Sequence, residues 1–205
     1  MSQRENQFQA VVIGASAGGI HALQQVLMPL PADFPLPIIV VQHLHPDAGA
    51  YLPQLLDNKC QLKVKQADEK EFVQAGWVYL APPAYHLLIE EDHSLSLSLE
   101  APVSYSRPSV DVLFESAIFA YGKRLIGIIL TGANSDGALG IKKIKQAGGY
   151  VIVQAPETAE ADAMPKAAIA AVAGNQAVDK ILALDQIGQY LLQWVNRNFL
   201  GIRMK

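Results

Sequence analysis

The stretch FQAVVIGASAGG, residues 8–19, decides the fold that we predict for this chain. Its first part, residues 8–14, is a short apolar run of the kind that forms a buried strand. Small residues follow at 14–19, and the next segment, residues 19–28, is predicted to be a helix. A buried strand, a tight glycine-rich turn and a helix form the opening unit of a parallel α/β sheet.

Short apolar runs alternate with helical segments along the rest of the chain. These runs do not alternate polar and apolar residues, which favours parallel strands covered on both faces. One region differs, because SLSLSLE at 94–100 has period two and indicates an antiparallel hairpin with one solvated face. Further strands are predicted at 37–42, 62–66, 77–81, 125–131 and 150–154, the hairpin at 86–89 and 95–99, and helices at 47–56, 108–121, 137–147, 165–172 and 184–197.

The predicted fold class is therefore α/β: one doubly wound, mostly parallel sheet with helices on both faces and an inserted antiparallel hairpin. The 205 residues are enough for one good core and few for two independent domains, so we predict a single domain over 1–205. A net charge of −3 argues against a dedicated nucleic-acid binder.

The cellular setting follows from what the sequence lacks. Cys60 is the only cysteine, so no internal disulfide is possible, which fits a reducing compartment. The polar start MSQRENQFQA and the short apolar run after it resemble neither a secretory signal nor a membrane span. We expect a cytoplasmic protein that is not embedded in a membrane, although its partners could be membrane receptors contacted from the cytoplasmic side.

A candidate nucleophile lies in the first turn, where residues 14–18 match G-x-S-x-G with Ser16 in the middle. Small neighbours let the chain turn sharply and expose the Ser16 hydroxyl, while the amides that begin the helix point at the same space. The alternative is a glycine-rich turn in which Ser16 only caps the helix.

A candidate base follows the second strand, in VVQHLHP at 40–46. An imidazole suits proton transfer at neutral pH, and His43 at a strand end can reach a neighbouring turn. The alternative is a histidine with a purely structural hydrogen bond. His45 is expected at the surface or behind the site; no further ligands with metal spacing lie nearby, so we predict no metal and no cofactor.

A candidate orienting acid, Asp136, follows the strand at 125–131. It would bond the far ring nitrogen of His43 and hold the tautomer that accepts a proton from Ser16. Alternatively, Asp136 caps the helix at 137–147. The three residues follow three strands of one sheet and together predict a serine hydrolase, although the order Ser, His, Asp is not that of α/β-hydrolases.

Six ordered blocks extend this interpretation across nearly the whole chain. They are VIGASAGG, VVQHLHP, VYLAPPAYHL, RPSVDVLFESA, GIILTGANSDGALG and, after VIVQ, the AMP at 163–165. At these blocks the sequence resembles the catalytic domain of the chemotaxis protein-glutamate methylesterases, the CheB family. The resemblance implies hydrolysis of glutamate γ-methyl esters on the cytoplasmic helices of methyl-accepting chemotaxis receptors with release of methanol, and deamidation of certain receptor glutamines.

The resemblance places the family's triad on Ser16, His43 and Asp136. Many members carry methionine and glycine where this chain has Ala133 and Asn134, and threonine where it has Ala17. The backbone amides at Ala17 and Ala133 could still bind an oxyanion, because any residue except proline supplies an N–H.

Two further residues lie in blocks that resemble the family's. Arg107 could contact an acidic receptor helix or the product carboxylate, or could simply be a solvated arginine before a helix. For His86 a structural role at the start of the hairpin is expected.

Regulation and rival functions stay open at this stage. Typical members begin with a receiver domain, whereas the first predicted strand here starts within ten residues, so control by a receiver in the same chain is not expected. The chain could be constitutive, controlled by a separate receiver protein, or part of a larger polypeptide. One rival is a catalytically degenerate receptor-binding module. The other is a Rossmann-type nucleotide-binding domain, although G-x-G-x-x-G is not met and Gln42 and His43 replace the acid expected after strand two.

Overall fold

The central sheet has seven strands in the order β3-β4-β2-β1-β7-β8-β9, each parallel to its neighbours. The computed structural model describes residues 8–44, 51–173 and 176–199. A separate antiparallel pair, β5 and β6, forms the hairpin. The strands are β1 Ala10–Ala15, β2 Ile38–Gln42, β3 Lys63–Gln66, β4 Trp77–Leu80, β5 His86–Ile89, β6 Leu95–Ser98, β7 Leu125–Ile129, β8 Tyr150–Gln154 and β9 Lys180–Leu182.

Helices cover both faces of this sheet. One apolar core cluster joins the sheet to α1, α2 and α6, and the other joins it to α3, α4, α5 and the hairpin. The predicted doubly wound sheet with an inserted hairpin is thereby confirmed. The helices are α1 Gly19–Leu27, α2 Tyr51–Asp57, α3 Val110–Tyr121, α4 Ala138–Gln146, α5 Ala163–Val172 and α6 Leu184–Phe199.

The register of the three middle strands sets the position of the site. All six residues of β1 are buried, and β1 pairs with β2 on one side and with β7 on the other. After β1 the chain first adds strands on the β2 side and later returns to the β7 side. A crevice at the carboxyl ends of the strands is expected where the strand order reverses in this way.

The structure differs from the predicted elements in few places. Most predicted ends lie within two residues of the observed ones, and α5 begins at Ala163 because the AMP block is already helical. One strand was missed: β9, Lys180–Leu182, is an edge strand of only three residues, and its apolar residues run on into the segment predicted as the last helix. The predictions for His45 and for the start of the helix at 47–56 concern positions 45–50, which lie outside the described residues.

The described ranges contain the helices α1 to α6. None of them combines the length and the apolar character that a membrane-spanning helix requires.

Candidate active site

The turn after β1 is held at both ends by backbone hydrogen bonds. Ser16 N–H donates to Thr131 O at 2.9 Å, and Gly19 N–H donates back to Ser16 O at 2.8 Å. Gly18 has a φ of 76°, a left-handed conformation that glycine adopts without steric cost. Ser16 is therefore the last residue before a tight strand-to-helix turn, and its side chain is only partly buried.

His43 follows β2 directly and continues the pairing of that strand. Its N–H donates to Ala15 O at 3.0 Å, one step beyond the last paired residues, Ala15 and Gln42. Because parallel neighbours end at the same edge, His43 and Ser16 leave the sheet side by side. The imidazole Nε2 lies 2.9 Å from Asp136 Oδ2.

The Asp136 side chain is fully buried and accepts four hydrogen bonds. Oδ2 accepts from His43 Nε2 at 2.9 Å and from Val110 N–H at 2.8 Å. Oδ1 accepts from Ser109 Oγ at 2.8 Å and from Asp111 N–H at 3.1 Å. Two of the donors are backbone amides in the first turn of α3, where the helix dipole favours a negative charge.

This environment determines the charge of Asp136. Burial alone would raise its pKa, but hydrogen bonds from His43, Val110, Asp111 and Ser109 outweigh burial, and the pKa falls below its ordinary value. The carboxylate therefore stays ionised. It also caps a different helix from the one considered from the sequence: the N-cap residue of α4 is Gly137, which has no side-chain cap, whereas Asp136 caps α3.

The second ring nitrogen of His43 faces Asn134. An ionised carboxylate only accepts hydrogen bonds, so Nε2 of His43 carries the hydrogen and Nδ1 keeps a lone pair. Asn134 Oδ1 accepts from Asp136 N–H at 3.1 Å, which directs Asn134 Nδ2 towards His43 Nδ1 at 3.2 Å. Among the described residues, no hydrogen bond joins Ser16 Oγ to the imidazole, and the partner of His43 Nδ1 is Asn134.

Two clefts meet at His43 and Leu44. The first has a volume of about 460 Å³ and contains Ser16 together with the turn that follows it. The second has a volume of about 230 Å³ and is lined beyond His43 by residues 105–108. A larger cleft of about 510 Å³ lies beside His21 but contains none of the three triad candidates, so chemistry rather than size identifies the site.

Comparison with known proteins identifies the family. The sequence model of the family described as CheB methylesterase matches residues 11–191. The chain belongs to the CheB methylesterase family. The dinucleotide-binding alternative therefore loses its basis.

Relatives and a solved structure support this membership. A relative from Leptospira interrogans, whose name gives protein-glutamate methylesterase and protein-glutamine glutaminase, is 48% identical over 93% of this chain and 97% of its own length. One from Cupriavidus pinatubonensis with the same activities in its name is 43% identical over 78% of this chain but only 46% of its own length. The crystal structure of the Thermotoga maritima CheB methylesterase catalytic domain matches with a TM-score of 0.84 and 35% identity, covering 92% of this chain and all of that one.

The residues expected to bind the oxyanion or the substrate occupy different settings in this CheB-family chain. Ala17 and Ala133 are both exposed at the edge of the site, on the turns after β1 and β7. Arg107 lies in the second cleft, but its Nη1 already donates to Leu99 O at 2.8 Å and to Glu100 O at 3.0 Å. Arg107 thus ties the end of the hairpin to the start of α3, and contact with a product carboxylate remains a prediction.

His86 has the structural surroundings expected from the sequence. It is almost completely buried; its Nδ1 accepts from Ser109 N–H at 3.2 Å, and its Nε2 lies 3.1 Å from Ala101 O. The ring therefore supports Ser109, whose hydroxyl donates to Asp136.

Sequence reasoning missed Gln42, the last residue of β2. Its buried Nε2 donates to Ser16 O at 2.8 Å and to His43 O at 2.9 Å, joining the backbones of two triad candidates. A polar residue that ends an otherwise apolar strand, next to His43, is the signal that could have found it.

Thr131 was also missed, although it lies in the quoted block GIILTGANSDGALG. Its Oγ1 donates to Ala17 O at 2.8 Å and accepts from Ala161 N–H at 2.9 Å. The neighbouring Gly132 has no space for a side chain, because a Cβ there would lie 1.9 Å from Met164 Sδ and 2.9 Å from Ser16 Cβ. The AMP block that contains Met164 therefore packs directly behind the nucleophile turn.

Within residues 8–44, 51–173 and 176–199, no group of three histidine, cysteine or acidic side chains is arranged to hold a metal ion.

Proposed function

We propose that this chain is a serine hydrolase that demethylates glutamate γ-methyl esters on the cytoplasmic helices of methyl-accepting chemotaxis receptors and releases methanol. Ser16 is the nucleophile, His43 the general base and Asp136 the acid that orients the base. The protein acts in the cytoplasm through this catalytic domain.

The observation that carries this proposal is the hydrogen bond of 2.9 Å between His43 Nε2 and Asp136 Oδ2. It spans from the end of β2 to the loop after β7, across the strand that presents Ser16. An imidazole held at one nitrogen by a buried carboxylate can take a proton from a hydroxyl at its other nitrogen. The names of the relatives supply the substrate class, a glutamate methyl ester or a glutamine amide.

In the first half-reaction, Ser16 Oγ attacks the ester carbonyl carbon while its proton moves to His43 Nδ1. Asp136 remains ionised and stabilises the imidazolium through Nε2–H. The backbone amides of Ala17 and Ala133 donate to the oxyanion. The bond to the methoxy oxygen then breaks, methoxide takes the proton from Nδ1, and methanol leaves an acyl-enzyme on Ser16.

The second half-reaction repeats these steps with water. His43 Nδ1 accepts a proton from the water as it attacks the acyl carbon, and returns that proton to Ser16 Oγ when the ester bond breaks. The product is a receptor glutamate. A glutamine side chain follows the same route with ammonia as the leaving group, which accounts for deamidation.

The test measures volatile methanol from methyl-labelled receptor membranes. Wild type should release label, and Ser16→Ala should lower turnover by about four to six orders of magnitude. Ser135→Ala is the matched control, because Ser135 is an exposed serine on the loop that carries Asp136. Equal release by wild type and Ser16→Ala would end the proposal that Ser16 is the nucleophile.

A second candidate function, receptor binding without catalysis, is favoured by one observation. The lone pair of His43 Nδ1 is occupied by Asn134. Wild-type protein that co-sediments with receptor membranes but releases no methanol would support this alternative.

A further inference from the structure

The cleft beyond His43 is walled by a tight turn. Val103 and Ser106 bond each other in both directions, N–H to O, at 3.1 and 2.9 Å. Ser104 and Tyr105 between them have φ values of 52° and 61°. Two successive left-handed residues make a hairpin turn that glycine and asparagine favour and that a bulky side chain disfavours.

The conformation of Tyr105 is not offset by packing, since its side chain is 104% exposed. The same segment exposes Leu99 at 64% and Val103 at 39%, and we call these three residues the apolar rim. The exposed ring of Tyr105 adds no packing to the core, and a left-handed backbone at residues other than glycine is found preferentially at functional sites. Exposed aromatic side chains are also the ones that most often anchor protein partners.

Hydrogen bonds hold one end of the rim, and a short stretch of chain links the other end to a triad candidate. On one side, Arg107 holds Leu99 O and Glu100 O. On the other, Ser109, only four residues after Tyr105, donates its hydroxyl to Asp136. The backbone that carries Tyr105 therefore depends in part on the hydrogen bonds through Ser109 and Asp136 that also orient His43.

The two clefts adjoin at His43 and Leu44, which line both of them, and we call the two clefts together the trough. Ser16 lies on one side of His43 and Tyr105 on the other. A glutamate ester is carried on a short side chain, so the main chain of a protein substrate must pass close over this trough. The residues that flank the ester then reach the walls of the trough.

We infer that the apolar rim is the docking surface for the polypeptide that flanks the esterified glutamate, and that it binds apolar side chains of that segment through Tyr105. This inference rests on the proposed function and adds to it a site for the protein part of the substrate. The rim makes no contact with the reacting ester, so its contribution is to binding rather than to chemistry.

The test compares wild type with Tyr105→Asn on two substrates. Asparagine tolerates the left-handed conformation, so the variant removes the ring without straining the turn. For labelled receptor membranes, KM should rise about tenfold with kcat within about twofold, as for loss of one aromatic anchor. Hydrolysis of 4-nitrophenyl acetate, which has no polypeptide, should stay within about twofold, and thermal stability should be unchanged or higher.

Phe119→Asn is the matched control, because Phe119 is 82% exposed on α3 and lines neither cleft. It should leave both substrates unaffected. An unchanged receptor KM in Tyr105→Asn would overturn the inference, as would a parallel loss on the small ester, which would mean that Tyr105 supports the catalytic groups.

Two further outcomes separate this inference from its alternatives. If Tyr105→Asn converts a dimer to a monomer in light scattering, the occupant of the rim is a second copy, and the inference is overturned. If wild type hydrolyses 4-nitrophenyl acetate but releases no methanol from receptors, the proposed function fails before any rim variant is made. A selective loss on receptors alone supports both proposals.

Discussion

The two nitrogens of His43 have very different surroundings. Nε2 faces Asp136, a buried carboxylate that accepts three further hydrogen bonds from Ser109, Val110 and Asp111. Among the residues that the structure describes, Nδ1 has one hydrogen-bond partner, the amide of Asn134 at 3.2 Å. We call the Nε2 side of the imidazole its buried side and the Nδ1 side its open or working side. The buried side is held through a carboxylate with several hydrogen bonds, whereas the open side has one contact that a substrate or Ser16 could replace.

The buried side contains a second carboxylate that sharpens this comparison. Asp111 accepts from Gly140 N–H at 2.7 Å, and burial, followed by the nearby charges of Asp136 and Glu115, raises its pKa to about 6. Burial acts on Asp136 in the same direction, yet the pKa of Asp136 falls. The donors around each carboxyl, rather than its burial, decide which one stays ionised.

The largest effect is expected from breaking the buried side with Asp136→Asn. The NH₂ group of the new amide would face hydrogen-bond donors that now bond the carboxylate of Asp136. It would also favour the tautomer of His43 that carries its hydrogen on Nδ1, which cannot accept a proton there. Turnover of 4-nitrophenyl acetate should fall about 10³- to 10⁴-fold. Loss of buried bonds to a charged group should also cost about 2 to 4 kcal/mol of the free energy of unfolding, measured by urea denaturation.

The control for this prediction is Asp162→Asn. Asp162 forms an exposed ion pair with Lys166 at 2.6 Å, so its loss should change stability by less than about 1 kcal/mol and leave turnover intact. Activity is compared at a temperature where circular dichroism finds both variants folded. Near-normal turnover in folded Asp136→Asn would mean that Asp136 does not orient the base.

A smaller effect of opposite sign is expected from Asp111→Asn. The folded-state pKa of Asp111, about 6, lies above its ordinary value of 3.8, so the folded protein binds this proton more tightly than the unfolded chain. The stability from this group is fully present below about pH 4 and is lost as pH rises through about 6. The variant keeps an oxygen for Gly140 N–H, and at pH 7.5 it should be more stable by about 1 to 3 kcal/mol.

Urea denaturation between about pH 4 and pH 8 measures this difference. Between about pH 4 and pH 6, the free energy of unfolding of the wild type should fall relative to that of Asp111→Asn. Above that range the two curves of free energy against pH should run parallel. Asp33→Asn, which removes an exposed carboxylate, is the control and should keep the wild-type slope. A variant that is less stable than wild type at pH 7.5 would mean that the charge of Asp111 is favourable where it lies.

The sequence predicted most of the sheet and the residues at its carboxyl edge. The apolar runs of β1, β2 and β7 identify parallel strands, and parallel strands end at one edge, so Ser16, His43 and Asp136 could be placed together. The strand β9 could not be predicted, because Lys180–Leu182 is only three residues long and runs directly into the segment predicted as the last helix.

Contacts between distant segments account for what was missed in the site. That Asp136 caps α3 rather than the adjacent α4 depends on how α3 packs across the sheet, and spacing along the chain does not encode this. The same holds for Gln42 and Thr131. Each is a single polar residue at a strand end whose partners, Ser16 O and Ala161 N–H, lie about 26 and 30 positions away in the sequence.

The smallest effect is expected from releasing the open side with Asn134→Ser. The serine hydroxyl can still accept from Asp136 N–H but is too short to reach His43, so the lone pair of Nδ1 becomes free for Ser16. Because one neutral hydrogen bond no longer has to break before proton transfer, kcat for 4-nitrophenyl acetate should rise about threefold. Asn58→Ser, at an exposed position, is the control and should leave kcat unchanged. If kcat falls in Asn134→Ser instead, the amide of Asn134 orients the imidazole, and the working side of His43 depends on fixed contacts just as the buried side does.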